Sequence, residues 1–189
     1  MSKSSAKIVG VSYDSVLAYV DAHISDYVDQ LKKFVAIPSI SAGAAVDTSE
    51  ALAAAASFLV SDLLTTGLHA EALEVVAGSN LLVVAHPPEL DAAKPTVLIY
   101  GHYDVQGVDN PRSAWQHDPF AAVEENGYLI GRGSSDNKGP CFAHIKAVAA
   151  IIETGKRLPV NPIFLFEGEE ECGSAAIGQF VRSGALDRF

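Results

Sequence analysis

Two short apolar runs, each followed at once by polar and charged side chains, do most to limit how this chain can fold. They are 96-TVLIY-100 and 162-PIFLF-166, and stretches with the periodicity of amphipathic helices alternate with them. Continuous apolar runs of this length are typical of strands that are buried on both faces of a sheet. The pattern therefore predicts an α/β fold with a mostly parallel or mixed sheet and helices on both faces.

Periodicity and helix-ending residues set the other elements. Helices are predicted over 16–35, about 47–66, 141–154 and 174–183, and strands over 72–76, 81–85, 96–100 and 162–166. Asp47 with Glu50 resembles a capping box for the second helix, and Gly67 ends that helix. The buried face of the second helix is predicted to carry Leu52, Leu59, Leu63 and Leu64. Asn126-Gly127 predicts the turn of a hairpin over 125–131.

The composition of the chain limits its size class, its possible binding partners and its cellular compartment. A chain of 189 residues is long enough for one domain with a sizeable core. The net charge of −10, from 13 basic and 23 acidic residues, argues against nucleic acid or an anionic membrane as a partner. The start, MSKSSAKIVG, lacks the apolar core of a signal peptide, and no later run approaches a membrane span. The two cysteines have neither CxxC spacing nor the number of a disulfide framework, which predicts a reducing, cytoplasmic setting.

Three polar clusters follow the predicted strands or precede a predicted helix. They are 101-GHYDVQ-106, 131-GRGSSDNKGP-140 and the glutamate-rich 167-EGEEECGS-174. Ligands of such sheets bind outside the carboxyl ends of the strands. The three clusters are therefore predicted to converge on one crevice.

The side chains of these clusters suit a metal ion. His102 supplies an imidazole nitrogen, and Asp136 and the glutamates supply carboxylate oxygens. This mixture favours zinc or another divalent first-row ion over calcium or magnesium, which prefer oxygen alone. Asp104 lies two residues after His102, on the same side of an extended chain. It is predicted to accept a hydrogen bond from the ring nitrogen that does not hold metal.

Simpler interpretations exist for each cluster. A histidine at the end of a buried strand is more often a hydrogen-bonded structural residue than a ligand. The turn over 131–140 is also of a kind that cradles phosphate, although it lacks the Lys-Ser/Thr ending of a phosphate loop. Glu167 and Glu169 are interpreted as solvated charges or as acceptors for nearby loops. Cys172 is predicted to be a small buried residue rather than a metal ligand or nucleophile.

Four motifs in a fixed order give the chain a family resemblance. GHYDVQ is followed by 115-WQHDPF-120, then by 127-GYLIGRGSSDNKGP-140 and 166-FEGEEECGS-174. In these motifs the chain resembles the co-catalytic zinc exopeptidases, the family of carnosinase-type dipeptidases, aminoacylases and succinyl-diaminopimelate desuccinylase. The resemblance runs from about Tyr13 to the last residue, and GHYDVQ and GEEECGS look closest to the dipeptidases.

The resemblance implies a role for each candidate residue. His102 would bind one zinc ion, Asp136 would bridge both ions, and Glu171 would bind the second. Glu170 would be the general base that takes a proton from the water between the ions, and Asp104 would orient His102. The implied cofactors are two divalent ions, Zn²⁺ with Mn²⁺ or Co²⁺ as alternatives.

The resemblance also implies that the chain is incomplete. Members of the family are more than twice as long, and they carry a further carboxylate ligand, a final histidine and a lid domain beyond the glutamate run. Residues 1–189 are therefore expected to be the N-terminal portion of a zinc-exopeptidase-like catalytic domain, without the lid and dimerisation domain and the C-terminal part. Its metals are expected to be incompletely bound, and the 189-residue chain alone to be inactive. In the family, a cis peptide also follows the bridging aspartate, which here is the Asp136-Asn137 bond.

The function predicted from the resemblance is zinc-dependent exopeptidase activity, most like that of a dipeptidase. The expected substrate is a short peptide or an N-acyl amino acid, with no nucleic-acid or membrane partner. Three alternatives stay open: an aminoacylase or other deacylase, an inactive truncated fragment, and a metal-binding interaction module. Self-association or contact with another chain is expected, because missing segments would leave a sheet edge uncovered.

Overall fold

The structure is a computed structural model that describes residues 13–43, 46–109 and 111–189. The segment MSKSSAKIVG, interpreted above as no signal peptide, lies outside the described residues. The elements of the described part are α1 (Asp14–Val35), β1 (Ile40–Ala42), α2 (Ser49–Thr65), β2 (His69–Leu73), β3 (Leu82–His86), β4 (Thr96–His102), β5 (Val105–Gln106), β6 (Val123–Glu125), β7 (Tyr128–Ile130), α3 (Lys138–Glu153), β8 (Asn161–Glu167) and α4 (Ala175–Arg182).

A mixed four-stranded sheet forms the centre of the fold, in the order β2-β3-β8-β4. β4 runs parallel to β8, while β3 is antiparallel to β8 and to β2. All seven residues of β8 are buried, as predicted for a strand covered on both faces. Because β4 and β8 are parallel, their carboxyl ends meet at one edge of the sheet, where His102 lies opposite Glu167.

Helices cover both faces of this sheet, which confirms the predicted fold class. The larger core lies between the sheet and α1, α2 and α3, and its fully buried side chains include Phe34, Leu59, Val83, Ile145 and Phe164. The smaller core lies on the other face, under α4, and consists of Leu82, Val84, Leu165 and Phe180 with several partly buried neighbours.

Several predicted boundaries are wrong at the ends of elements. The N-cap of α2 is Thr48, which makes no side-chain capping bond, so the capping box of Asp47 and Glu50 does not form. Asp47 instead accepts a hydrogen bond from the backbone nitrogen of Ser49 at 2.9 Å. Leu64 is 51% exposed, because one helical residue beyond the buried Leu63 points about 100° away from the core.

Two further boundaries differ from the predictions. β2 begins at His69, three residues before the predicted start, because it pairs in register with the whole of β3. α3 begins at Lys138, three residues before Cys141. The hairpin β6–β7 is as predicted, with Asn126 and Gly127 both at positive φ.

The prediction that β4 is buried on both faces is wrong. Val97, Leu98 and Tyr100 are 43%, 48% and 49% exposed. Within the described residues β4 pairs only with β8, so it forms an edge of the sheet. An apolar sequence shows that a strand needs cover, but it does not show whether the same chain provides it.

We expect this apolar edge to cause self-association. Sedimentation of the purified chain over a range of concentrations should show species heavier than the monomer, because an unpaired edge with exposed apolar side chains favours association. Leu98→Lys should weaken the association about tenfold or more, since burying one leucine contributes roughly 1.5–3 kcal/mol. Leu17→Lys is the matched control, because Leu17 is also exposed but lies on α1. A single monomeric species at all concentrations would contradict the expectation.

Two short parallel strands that the sequence did not reveal hold the segment after β4 in place. β1 pairs with β5, and the backbone nitrogens of Val105 and Gly107 donate to the carbonyls of Ser39 and Ala42, both at 2.9 Å. This pairing keeps the chain extended beyond His102. Alternate side chains of GHYDVQ therefore project to the same side.

Cys141 and Cys172 are both free, and Cys172 is exposed, so the prediction that it is buried is wrong. Its short 3-10 turn, Glu170–Cys172, lies at the surface beyond the end of β8.

No helix in the described part of the chain is long and apolar enough to cross a membrane.

Candidate metal centre

Residues from three parts of the chain meet at the carboxyl ends of β4 and β8. His102 is the last residue of β4, and Asp136 lies in the turn that precedes α3. Glu170 and Glu171 lie in the 3-10 turn that follows β8. The parallel pairing of β4 and β8 places these groups side by side although about 70 residues separate them in sequence.

The two ring nitrogens of His102 face different surroundings. Nδ1 lies 3.3 Å from Oδ1 of Asp104 and 3.1 Å from the Asp104 carbonyl oxygen. Nε2 lies 3.1 Å from Oδ1 of Asp136 and 3.8 Å from Oε2 of Glu170. A metal-binding histidine commonly gives its other ring N–H to a carboxylate or a carbonyl. The arrangement therefore leaves Nε2 as the nitrogen suited to a metal ion.

The charges around His102 attract a cation. Burial alone favours its neutral form, but the hydrogen bond and the negative charge of Asp104 outweigh burial and raise the pKa of His102 to about 9. The same negative field that stabilises a proton on the ring stabilises a metal ion in its place.

The structure groups two of the three predicted ligands with the residue predicted as the general base. His102, Glu170 and Glu171 each offer one ligand atom, and these atoms lie within 4.8 Å of one another. Asp136 contacts His102 but is not part of this group, and its side chain is 74% exposed. One imidazole with several carboxylates is a donor set that fits zinc or another divalent first-row ion.

Asp104 connects His102 to the 3-10 turn Glu170–Cys172, the glutamate turn. Its side chain is fully buried. Besides facing His102, it accepts hydrogen bonds from Oγ of Ser41 at 2.5 Å and from the backbone nitrogens of Glu171 at 3.0 Å and Glu170 at 3.3 Å. Burial opposes ionisation of Asp104, but the hydrogen bonds from His102, Ser41 and Glu171 lower its pKa below the usual value. Asp104 therefore fixes both the ring and the backbone that carries both glutamates.

Asp104→Ala should destabilise the protein strongly, because it leaves these buried donors without their acceptor. Breaking a buried, hydrogen-bonded charge pair costs about 3–5 kcal/mol in unfolding free energy. For a chain of this size that lowers the melting temperature by roughly 6–20 °C, as calorimetry would measure. Ser41→Ala is the control, since it removes one of the hydrogen bonds and should cost only about 0.5–1.5 kcal/mol. Equal losses for the two variants would show that Asp104 does not hold the turn.

A buried lysine that sequence analysis did not assign to the site holds the turn of Asp136. Nζ of Lys138 donates to the carbonyls of Phe34 at 3.1 Å and Ile37 at 2.5 Å, around the end of α1. Burial lowers the pKa of Lys138 to about 7. The Asp136-Asn137 peptide bond is cis, as the resemblance implied. In the sequence, a lysine beside the apolar residues of α3 was the available sign of this role. The carbonyls to which it donates lie about 100 residues earlier, so the sequence did not reveal them.

The other two glutamates of the cluster have structural partners. Glu169 accepts hydrogen bonds from the backbone nitrogens of Asn80 and Ala176, each at 3.0 Å. Glu167 is buried and accepts from the Tyr100 hydroxyl at 2.5 Å and the Ser174 hydroxyl at 3.1 Å. Of the two interpretations offered for these glutamates, the structure therefore supports hydrogen-bond acceptors over solvated charges.

Comparisons with known proteins find a peptidase family and two dipeptidases that are similar to this chain. A model of peptidase family M20/M25/M40 matches residues 98–189. The Beta-Ala-His dipeptidase of Homo sapiens is 35% identical over 187 residues, covering 93% of this chain and 36% of the relative. The Cys-Gly metallodipeptidase of Schizosaccharomyces pombe is 34% identical over 190 residues, covering 95% of this chain and 39% of the relative.

Solved structures show the same similarity. The crystal structure of human carnosine dipeptidase 1 superposes with a TM-score of 0.84 at 33% identity, covering 93% of this chain and 38% of that one. The dipeptidase Dug1p of Saccharomyces cerevisiae gives 0.83 at 28% identity, covering 92% and 38%. The chain thus spans less than two fifths of the length of these relatives.

Proposed function

The chain belongs to peptidase family M20/M25/M40, and on this premise we propose that it supplies the N-terminal part of the catalytic domain of a zinc-dependent dipeptidase. The metal ligands in this proposal are His102, Asp136 and Glu171. Glu170 is the general base, and Asp104 orients His102.

The observation that carries the proposal is the meeting of His102, Glu170 and Glu171 within 4.8 Å at the carboxyl ends of β4 and β8. Asp136 is a fourth possible ligand, because its Oδ1 contacts Nε2 of His102. Such a collection of anionic groups around one imidazole is unfavourable without a cation nearby. Zinc satisfies both the nitrogen and the oxygen donors.

Each residue has a separate task in this proposal. When bound, a pair of zinc ions would supply an acidified water and would polarise the carbonyl of the bond to be cleaved. Glu170 accepts the proton from that water and passes it to the leaving amine. Its side chain is 42% exposed and therefore open to a substrate. Asp104, fully buried, keeps the ring of His102 in one orientation and one tautomer.

Dipeptides are the proposed substrates. The matched proteins from human and fission yeast are named Beta-Ala-His dipeptidase and Cys-Gly metallodipeptidase. Their names favour a dipeptide over an N-acyl amino acid, which remains the alternative within the same chemistry. We also propose a cytoplasmic setting, which the two free cysteines support. Association with a second copy or another chain is proposed from the exposed edge of β4.

A comparison of two proteins tests this function. One is the 189-residue chain, and the other continues it past Phe189 with the corresponding segment of a matched dipeptidase. The extended protein should hydrolyse dipeptides faster than N-acyl amino acids, should lose activity on chelation and should recover with zinc. Hydrolysis that survives chelation, or a preference for N-acyl amino acids, would contradict the proposal.

A further inference from the structure

Gln106 lies on the same side of the chain as the predicted site residues. β4 ends at His102 and β5 begins at Val105. Asp104 contacts both His102 and the backbone of Glu171, and Gln106 contacts Glu171 as well, so all three side chains lie on one side. Tyr103 and Val105, which alternate with them in sequence, are fully buried. Gln106 is thus the third member of an alternating set whose first two members are the proposed ligand and its orienting carboxylate.

The amide of Gln106 holds Glu171 at two points. Its Nε2 lies 2.9 Å from Oε2 of Glu171 and 3.3 Å from the Glu171 carbonyl oxygen. An amide nitrogen has two N–H groups, which is enough for both contacts. The backbone nitrogen of Glu171 is held separately by Asp104, at 3.0 Å. Glu171 is therefore fixed at its backbone nitrogen, its carbonyl and one carboxylate oxygen.

The backbone of Gln106 is itself well positioned. Gln106 pairs with Ala42 in the β1–β5 ladder, and the next nitrogen, that of Gly107, donates to the Ala42 carbonyl at 2.9 Å. A Cβ at Gly107 would lie 2.8 Å from the carbonyl oxygen of Gly43, so the two segments approach closely there. The amide thus projects from a backbone that the pairing with β1 holds in place.

We propose that Gln106 is a positioning residue that sets how Glu171 presents its carboxylate to the metal. Because the amide donates to Oε2, Oε1 is the oxygen that would be left for an ion, and Glu171 would then bind it through one oxygen. This inference rests on the proposed function, because it assigns Glu171 as a ligand. Hydrogen bonds to a ligand of this kind typically change metal affinity about 10–100-fold.

Gln106→Leu tests the inference, because leucine has a similar size but no N–H donor. In calorimetric titration of the 189-residue chain with zinc, the variant should bind at least about tenfold more weakly than the wild type. The melting temperature of the chelated, metal-free protein should stay near that of the wild type. Gln179→Leu is the matched control, since Gln179 is an exposed glutamine on α4.

The outcomes separate this inference from the proposed function. If the wild type binds zinc and Gln106→Leu binds it equally well, the positioning role is overturned and the function stands. If the metal-free variant melts lower while its zinc affinity is unchanged, Gln106 only supports the fold and the inference is again overturned. If the wild type and both variants bind no zinc even when each is continued past Phe189, the proposed metal centre fails first and the inference with it.

Discussion

Glu170→Gln should lower zinc-dependent dipeptide hydrolysis by about 10²–10⁴-fold in the protein that continues this chain past Phe189. Glutamine keeps the shape of the side chain but cannot accept a proton from water at neutral pH. Glu170 is placed for that task, since its Oε2 lies 3.8 Å from Nε2 of His102 and its side chain is partly exposed. The fall should appear in kcat with little change in KM, because the proton moves only during the reaction.

Two comparisons make this result specific. Glu153→Gln is the control for loss of one negative charge, since Glu153 lies at the far end of α3, about 20 Å along the helix from its start. Glu171→Gln is the contrast for loss of a ligand, and it should weaken zinc binding where Glu170→Gln does not. Zinc affinity that falls equally in both variants would make Glu170 a ligand and contradict its role as the base. The close grouping of both carboxylates with His102 makes this comparison necessary.

The placement of the candidate site was largely predictable from the sequence, because it depends on local rules. His102 and Asp104 lie two apart in an extended chain, so they share a side wherever the strand is placed. Parallel strands in an α/β sheet have their carboxyl ends at one edge, which brings His102 near the glutamate turn. The assignment of metal and base roles came from the family resemblance and remains a proposal.

The contacts that hold the site together were not predictable, because each joins distant parts of the chain. Lys138 donates to carbonyls about 100 residues earlier. Gln106 and Asp104 both reach the glutamate turn across more than 60 residues. No periodicity or spacing records such contacts. They follow only from the packing of α1 and the pairing of β1 with β5.

The exposure of β4 failed to follow from the sequence for a related reason. Its composition is that of a buried strand, yet Val97 and Leu98 face outward at the edge of the sheet. Burial depends on which neighbour covers the strand, and the described residues provide none on that side. The crowding of glutamates was explained only in part by a metal, since Glu167 and Glu169 have hydrogen-bond partners of their own.

The 189-residue chain, purified and supplied with zinc, should show no measurable dipeptide hydrolysis. In the proposed assignment His102 and Asp136 would hold one ion, and Asp136 and Glu171 would hold the other. Each ion then has two protein ligands, below the three that catalytic zinc normally has. An ion held so loosely does not keep the water fixed for Glu170, and a preorganised charge distribution is the main source of rate in such sites.

The measurement is a continuous dipeptidase assay with excess zinc, run beside the extended protein as the positive control. Steady zinc-dependent turnover by the short chain, abolished by Glu170→Gln, would mean that further ligands come from this chain. Among the described residues, the group of possible metal ligands contains no histidine other than His102. His69 and His86 pair with one another at the end of β3 that is remote from Glu167, and His117 contacts Glu125 at 3.3 Å. Turnover would therefore require either a rearranged chain or a ligand from a second copy, which mixing two differently inactivated variants would distinguish.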